Sequence, residues 1–217
     1  MLESTTEEPK KDSLFLFDEP KMVCGIDEAG RGPLAGPVCA AAVILGDDFP
    51  LDLLNDSKKL NEHQLLQAEI VIKEKAIAWA VALATAREID TINILQASLL
   101  AMKRAYEKLS KDYPIDLVKV DGNQKPNLDC ATIAIVRGDA TEAEIMAASI
   151  LAKCARDRYM VLADKKWPLY NFAKHKGYPT KEHRDACLYY GLSPIHRRSF
   201  HIAGPKGEGD CVPGELF

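Results

Sequence analysis

The sequence predicts an α/β fold, a single sheet with antiparallel and parallel parts and helices against it. Three observations carry this. Two apolar runs, residues 21–27 and Val38 to Leu45, are separated only by a glycine-rich turn, so they read as a hairpin pair. Two later apolar runs, Leu117 to Val120 and Cys130 to Val136, each stop at an acid-bearing turn. Between these pairs lies a stretch with clear helical period.

The elements follow in order. Residues 1–20 lack periodicity and read as a flexible extension, with Leu14, Phe15, Leu16 and Phe17 able to pack locally or dock on a partner. The first strand climbs through Met22, Val23 and Ile26 into Asp27-Glu28, and a turn from Gly30 to Gly36 leads to the second. Asn61 caps the next helix, and Gln64 completes its capping box. From residue 76 to 85, Ile77, Trp79, Val81, Leu83 and Thr85 alternate with Ala78, Ala80, Ala82 and Ala84. Alanine favours helix, but strict period two argues for a strand whose alanine face lets another element approach closely. Ile92, Leu95, Leu99, Met102, Tyr106 and Leu109 repeat at helical spacing and read as the core stripe of a helix at about 91–110. Two short buried strands follow, ending in Asp121-Gly122 and Arg137-Gly138-Asp139. Thr141 and Glu144 predict a capping box for a helix of about 142–163, which Trp167-Pro168 ends. A last helix spans 180–190, closed by Gly191, and residues 204–217 read as a loose tail.

The 217 residues, 47% of them hydrophobic, suffice for one full core. The net charge of −4 argues against a general polyanion binder, but it is uneven. Residues 1–20 carry −4, whereas residues 165–198 carry +6, with Arg197 and Arg198 among eight bases. A basic segment on an acidic protein fits a confined phosphate-backbone contact as well as it fits a solvated helical face. None of the six cysteines has CxxC spacing, and Cys24, Cys39, Cys130 and Cys154 lie in apolar runs. With no apolar signal core or membrane-length run, they read as reduced core residues of a cytoplasmic protein. His175, His183 and His196 suggest zinc by number, but separations of 8 and 13 match no common motif, and surface histidines are the expectation.

An isolated acidic pair such as Asp27-Glu28 is ordinarily a solvated strand end. Here Gly30 and Gly32 weigh against that, because glycine permits positive φ and lets backbone N–H groups close on an anion. Asp27, Asp121 and Asp139 all fall at or just past a strand's C-terminal end. If the first, fourth and fifth strands run parallel, these acids share one edge, where α/β sheets gather ligands. Two carboxylates about 4 Å apart repel by roughly 4 kcal/mol at an effective dielectric of 20. Protonation or Arg31 could relieve that, as could a cation. Oxygen-only donors favour a hard ion, Mg²⁺ or Mn²⁺, and two such ions can clamp a phosphate and activate water. The residues alone thus point to a metal-dependent phosphodiesterase or nuclease.

Asp27-Glu28-Ala29-Gly30-Arg31-Gly32-Pro33-Leu34-Ala35-Gly36-Pro37-Val38 closely resembles a motif of the bacterial ribonuclease HII family. The resemblance continues in order through residues 56–60, 120–123, 138–140, 147–153, 156–157, 175–180 and 196–200. It covers roughly residues 21–203, with 165–203 as a helical C-terminal region. The resemblance implies a ribonuclease H-like fold, a mixed five-stranded sheet flanked by helices. It also implies an endonuclease that hydrolyses the RNA strand of RNA–DNA hybrids and cuts 5′ to single ribonucleotides in duplex DNA. Cleavage by two metal ions, Mg²⁺ or Mn²⁺, leaves a 3′-OH and a 5′-phosphate.

Asp27, Glu28, Asp121 and Asp139 match the family's catalytic and metal-site acids, with Asp27 the candidate to bridge both ions. Gly30, Arg31 and Gly32 match the loop that senses the RNA–DNA junction, where backbone amides can bond a 2′-OH. Tyr178 matches the tyrosine that packs on the following deoxynucleotide's sugar. Lys58 and Lys59 are candidate phosphate holders. Ser149, Lys153 and Arg156 share a helix face and read as a phosphate track, against which a Lys153–Asp157 pair competes. The expected partner is nucleic acid, with no membrane and no obligate protein partner. The alternatives are the sister type HIII enzyme, whose sizeable N-terminal domain 20 residues cannot form, and a non-catalytic hybrid-binding module.

Overall fold

The computed structural model describes residues 22–54 and 60–202; the expected extension, the expected tail, and Lys58 and Lys59 lie outside them. Strands β1 (Val23–Ala29), β2 (Val38–Ile44), β3 (Ala78–Ala84), β4 (Leu117–Asp121) and β5 (Ala131–Ile135) form one sheet in the order β3-β2-β1-β4-β5. β1 pairs antiparallel with β2, and β2 with β3, while β1, β4 and β5 run parallel. The mixed sheet and its parallel acid-bearing strands are therefore as expected.

Helices cover both faces. Alternate residues of the first three strands (Ile26, Ala40, Ala42, Ala80, Ala82) pack on α2 (Ala86–Leu109) through Ala97, Ala101, Met102 and Ala105. The small alanines of β3 and α2 allow this close approach. On the other face, Ala41 and Val43 meet α1 (Glu62–Lys75) and α3 (Ala143–Lys166). Gly25 is required at the α3 crossing, because a Cβ there would lie 2.2 Å from the backbone of Glu144. A third cluster joins α3 to the C-terminal region through Ala35, Met160, Tyr170, Phe172 and Ile195. That region contains α4 (Phe172–His175) and α5 (Lys181–Tyr190).

The capping box of Asn61 and Gln64 is present, and Thr180 caps α5 ahead of Gly191 at φ +75. Four local expectations need correction. α3 is not opened by a Thr141–Glu144 box; its N-cap is Glu142, without a side-chain cap bond. The cause is Lys119, which draws Glu142 to 2.8 Å and Glu144 to 3.4 Å and so removes Glu144 from capping. α2 begins at Ala86, before the expected start, because Thr85 and Glu88 make a capping box there. It breaks at Asn93 (φ 68, ψ 167), whose side chain accepts from Gln96 N–H. The break turns the buried stripe onto Ala97, Ala101, Met102, Ala105, Tyr106 and Leu109 and leaves Leu95 out of the core cluster. β5 is an edge strand with Ile133 exposed, not a buried one. Among the described residues no helix is long and apolar enough to cross a membrane. The five described cysteines are free; four are buried, and Cys130 is half-buried.

Candidate active site

β1 runs to Ala29, two residues beyond its expected end, because β2 pairs with it as far as Ala29↔Cys39. The parallel pairing with β4 stops earlier, at Ile26↔Val120. Asp27 and Asp121 therefore lie one step past the last parallel pair, on adjacent strands. Asp139 comes in from a single 3₁₀ turn, Gly138–Ala140, and its N–H donates to Asp121 Oδ1 at 3.3 Å. The four acids thus occupy one edge of the sheet.

Asp27 is only 5% exposed, and its Oδ1 accepts from Glu28 N–H at 2.7 Å. Burial, with the carboxylates of Glu28 and Asp121 close by, holds its carboxyl well above the usual range, against the opposing hydrogen bonds of Glu28 N–H and Ser149. Burial likewise raises Glu28, and Arg31, 3.2 Å away, partly offsets it. Adjacent oxygen donors such as Asp27 and Glu28, both held above the usual carboxylate range, fit a hard divalent cation, which would supply the missing positive charge.

The glycine loop sits beside these acids. Gly30 has φ +97, and a Cβ there would lie 2.0 Å from Arg156 Nε. Gly32, by contrast, is not among the positive-φ glycines; a Cβ on it would touch Tyr178 Cε1 at 3.9 Å. At that distance a Cβ would make ordinary contact, and the loop lies beside the Tyr178 ring.

The phosphate-track reading of Ser149, Lys153 and Arg156 does not survive. Ser149 is buried beside Asp27, Lys153 pairs with Asp157 at 2.8 Å, and Arg156 is buried under the glycine loop. Arg156 donates to Pro37 O (3.2 Å), Ala35 O (3.2 Å) and Lys176 O (2.9 Å), and its guanidinium lies 5.6 Å from the Tyr178 ring centre. Arg197, counted above with the basic surface, is fully buried as well. It donates to the carbonyls of Gly30 (2.5 Å), Arg31 (2.8 Å), Gly36 (3.0 Å) and Pro37 (3.2 Å). Among the described residues neither arginine has a carboxylate partner. Burial pulls the pKa of Arg197 down to about 9 and lowers that of Arg156. Seven donated bonds hold the carbonyls of Gly30, Arg31, Ala35, Gly36, Pro37 and Lys176 toward the two buried guanidiniums. Sequence reasoning missed this role; its only signal was a glycine- and proline-rich loop whose carbonyls needed donors.

The histidines also differ from expectation. His175, His183 and His196 are buried in the C-terminal region, where Phe172 and Tyr170 pack on them. They are core residues because their ring nitrogens all find partners there.

The mixed sheet, its order and the acids at its edge define the class, an α/β enzyme of ribonuclease H type. The model of one family, Ribonuclease HII, matches residues 24–203. The Ribonuclease HII of Nitrosomonas europaea is 53% identical over 182 residues, 83% of this chain and 82% of that one. The crystal structure of ribonuclease H2 from Pyrococcus horikoshii OT3 superposes with a TM-score of 0.66 at 25% identity, covering 83% of this chain and 94% of that one. Bst-RNase HIII in complex with Mn²⁺ gives 0.68 at 16% identity over 83% of this chain and 67% of that one, a likeness of fold. The chain belongs to the ribonuclease HII family and is an endoribonuclease.

Proposed function

We propose that this enzyme hydrolyses the RNA strand of RNA–DNA hybrids and cuts 5′ to single ribonucleotides in duplex DNA, leaving a 3′-OH and a 5′-phosphate. The observation that carries this is the placement of Asp27, Glu28, Asp121 and Asp139 on one sheet edge beside the amides of residues 30–32 and Tyr178. Asp27, Glu28, Asp121 and Asp139 hold two divalent ions, Mg²⁺ or Mn²⁺. When bound, these ions activate water and stabilise the entering and leaving oxygens. The N–H groups of Gly30, Arg31 and Gly32 bond the ribose 2′-OH, the group DNA lacks. The ring of Tyr178 packs on the next, deoxy sugar. Arg31 holds Glu28 and stands half exposed for a phosphate. Residues 21–203 act as one catalytic unit, a monomer working in the cytoplasm, where free cysteines such as the five described here persist.

The test is cleavage of a duplex carrying one ribonucleotide, with and without Mg²⁺ or Mn²⁺, and mapping of the cut. Metal-dependent cleavage at the 5′ side of that ribonucleotide is expected. An all-DNA duplex cut at the same rate would refute the substrate assignment.

A further inference from the structure

Tyr178 stands half exposed, yet the backbone beneath it is held by buried imidazoles. The chain of bonds starts at Ser193, whose N–H donates to His196 Nδ1 at 2.9 Å. That nitrogen is therefore an acceptor, and the ring carries its proton on Nε2. His196 Nε2 lies 3.0 Å from His183 Nε2 and donates to it. His183 then carries its own proton on Nδ1, which donates to the Tyr178 carbonyl at 2.9 Å. A backbone amide at one end and a carbonyl at the other permit a single direction, so each ring has one neutral tautomer.

The third histidine completes the hold. His175 stacks on His183 at 4.3 Å and 19°. Its Nε2–H donates to Tyr170 O at 2.7 Å, which leaves Nδ1 to accept Gly177 N–H at 3.1 Å. Tyr178 N–H donates to His175 O at 2.9 Å. Lys176 (φ 51) and Gly177 (φ 79) are both left-handed, a conformation costly for lysine. Histidine groups thus fix Gly177 N–H, Tyr178 N–H and Tyr178 C=O together.

A metal reading competes, since ligand atoms of His183, Cys187 and His196 all lie within 4.8 Å of one another. The bond directions decide against it. His196 Nε2 bears the proton and its Nδ1 is taken by Ser193, whose hydroxyl also reaches it at 2.7 Å, so this ring has no lone pair to give.

We propose that His183 and His196 are positioning residues for Tyr178: their hydrogen-bonded pair fixes the tyrosine's backbone so that its ring stays over Arg156 and against Gly32. This rests on the reading of Tyr178 as a sugar contact. Releasing the carbonyl lets the turn of residues 176–178 relax, which weakens substrate binding while leaving the acids in place.

The experiment is a double-mutant cycle on a duplex with one ribonucleotide. His183→Phe keeps a ring but removes both of its hydrogen bonds, and Tyr178→Ala removes the contact. In the parent, H183F is expected to raise KM about tenfold, a lost buried hydrogen bond's worth, with kcat changed less than about threefold. In the Y178A background the same substitution should change KM less than about twofold. Equal factors in both backgrounds, or no rise in the parent, would overturn the proposal. His183→Asn, whose amide can replace the Nδ1–H donor, should restore most of the loss, and this variant carries the test if H183F does not fold. ¹⁵N imidazole spectra should show His183 protonated on Nδ1 and His196 on Nε2; the reverse tautomers would overturn the proposal irrespective of substrate. An unchanged KM in Y178A alone would instead refute the sugar-contact reading.

Discussion

Two glycines of nearly equal positive φ allow the packing beneath the glycine loop to be measured separately from its torsional demand. Gly30 has φ +97 and Gly122 has φ +94. Alanine at either position incurs the left-handed penalty, about 1 kcal/mol. At Gly122 nothing lies within 4 Å of the added Cβ, so that penalty is the whole effect. At Gly30 the Cβ would meet Arg156 Nε at 2.0 Å and Cδ at 2.2 Å, far inside the roughly 3.5 Å of ordinary contact. Arg156 must then withdraw from its carbonyls at 3.2, 3.2 and 2.9 Å. Losing two such charged hydrogen bonds costs about 3–5 kcal/mol. In a chain of this size each kcal/mol lowers Tm by roughly 2–4 °C. Thermal melting in metal-free buffer should therefore show Gly122→Ala lower by about 2–4 °C and Gly30→Ala by about 10–20 °C. Equal shifts would mean that Arg156 does not fill the space under Gly30, and the account of the loop would fail.

Asp27→Asn should reduce cleavage to background yet leave the metal-free Tm equal or higher, because burial and the neighbouring carboxylates already disfavour charge there; a marked fall in Tm would contradict this. Saturating Mn²⁺ should raise the parent's Tm by several degrees, in line with about 2.7 kcal/mol at a hundredfold excess over Kd, and the D27N variant's Tm by much less. Equal rises would place the bound metal elsewhere. Burial holds His183 and His196 at about 4, below the ordinary 6.5. Because the folded values are depressed, their contribution to stability is complete above about pH 6.5 and is lost as pH falls toward 4. Denaturant titration from pH 7 to 4 should therefore show a steeper loss in the parent than in H183F, and parallel curves would refute it. Arg197→Met leaves the carbonyls of Gly30, Arg31 and Gly36 without their guanidinium donor, Arg156 still reaching Pro37 O, and should lower kcat/KM at least about tenfold with the fold retained by circular dichroism; unchanged kinetics would show that the loop holds its shape unaided.

What could be read in advance follows from how far each signal reaches along the chain. The alternation from Ile77 to Thr85 identified β3 despite its alanines, because burial on one face of a sheet imposes period two whatever the local propensity. The acids could be gathered from sequence because strand ends in a parallel sheet share an edge, a property of topology alone. Charge reading failed for Arg156 and Arg197. Guanidiniums are ordinarily solvated, and the carbonyls that draw these two inside lie 119 to 167 residues away except for that of Lys176. The histidines failed for the same reason. Their spacing of 8 and 13 is uninformative until Thr180 starts α5 and the following turn returns His196 to His183. The Thr141–Glu144 cap was locally sound and was overridden by Lys119, whose ammonium takes both glutamates. The family resemblance supplied Tyr178; nothing local marks a tyrosine in a lysine-glycine turn.

The bonds from Arg197 to Gly30 and Arg31 join positions 167 and 166 residues apart. During synthesis β1 and β2 emerge long before the residue that shapes the turn between them. A growing chain can pair those strands, and even collect its acids, while the loop of residues 30–37 still lacks the guanidinium that orients it. The shape of that loop is thus among the last features to be set. A chain stopped short of residue 197 would possess its acids beside a loop without that donor. For a chain made from its N-terminus, the late arrival of Arg197 postpones the final shape of that loop until all five strands of the sheet have been made.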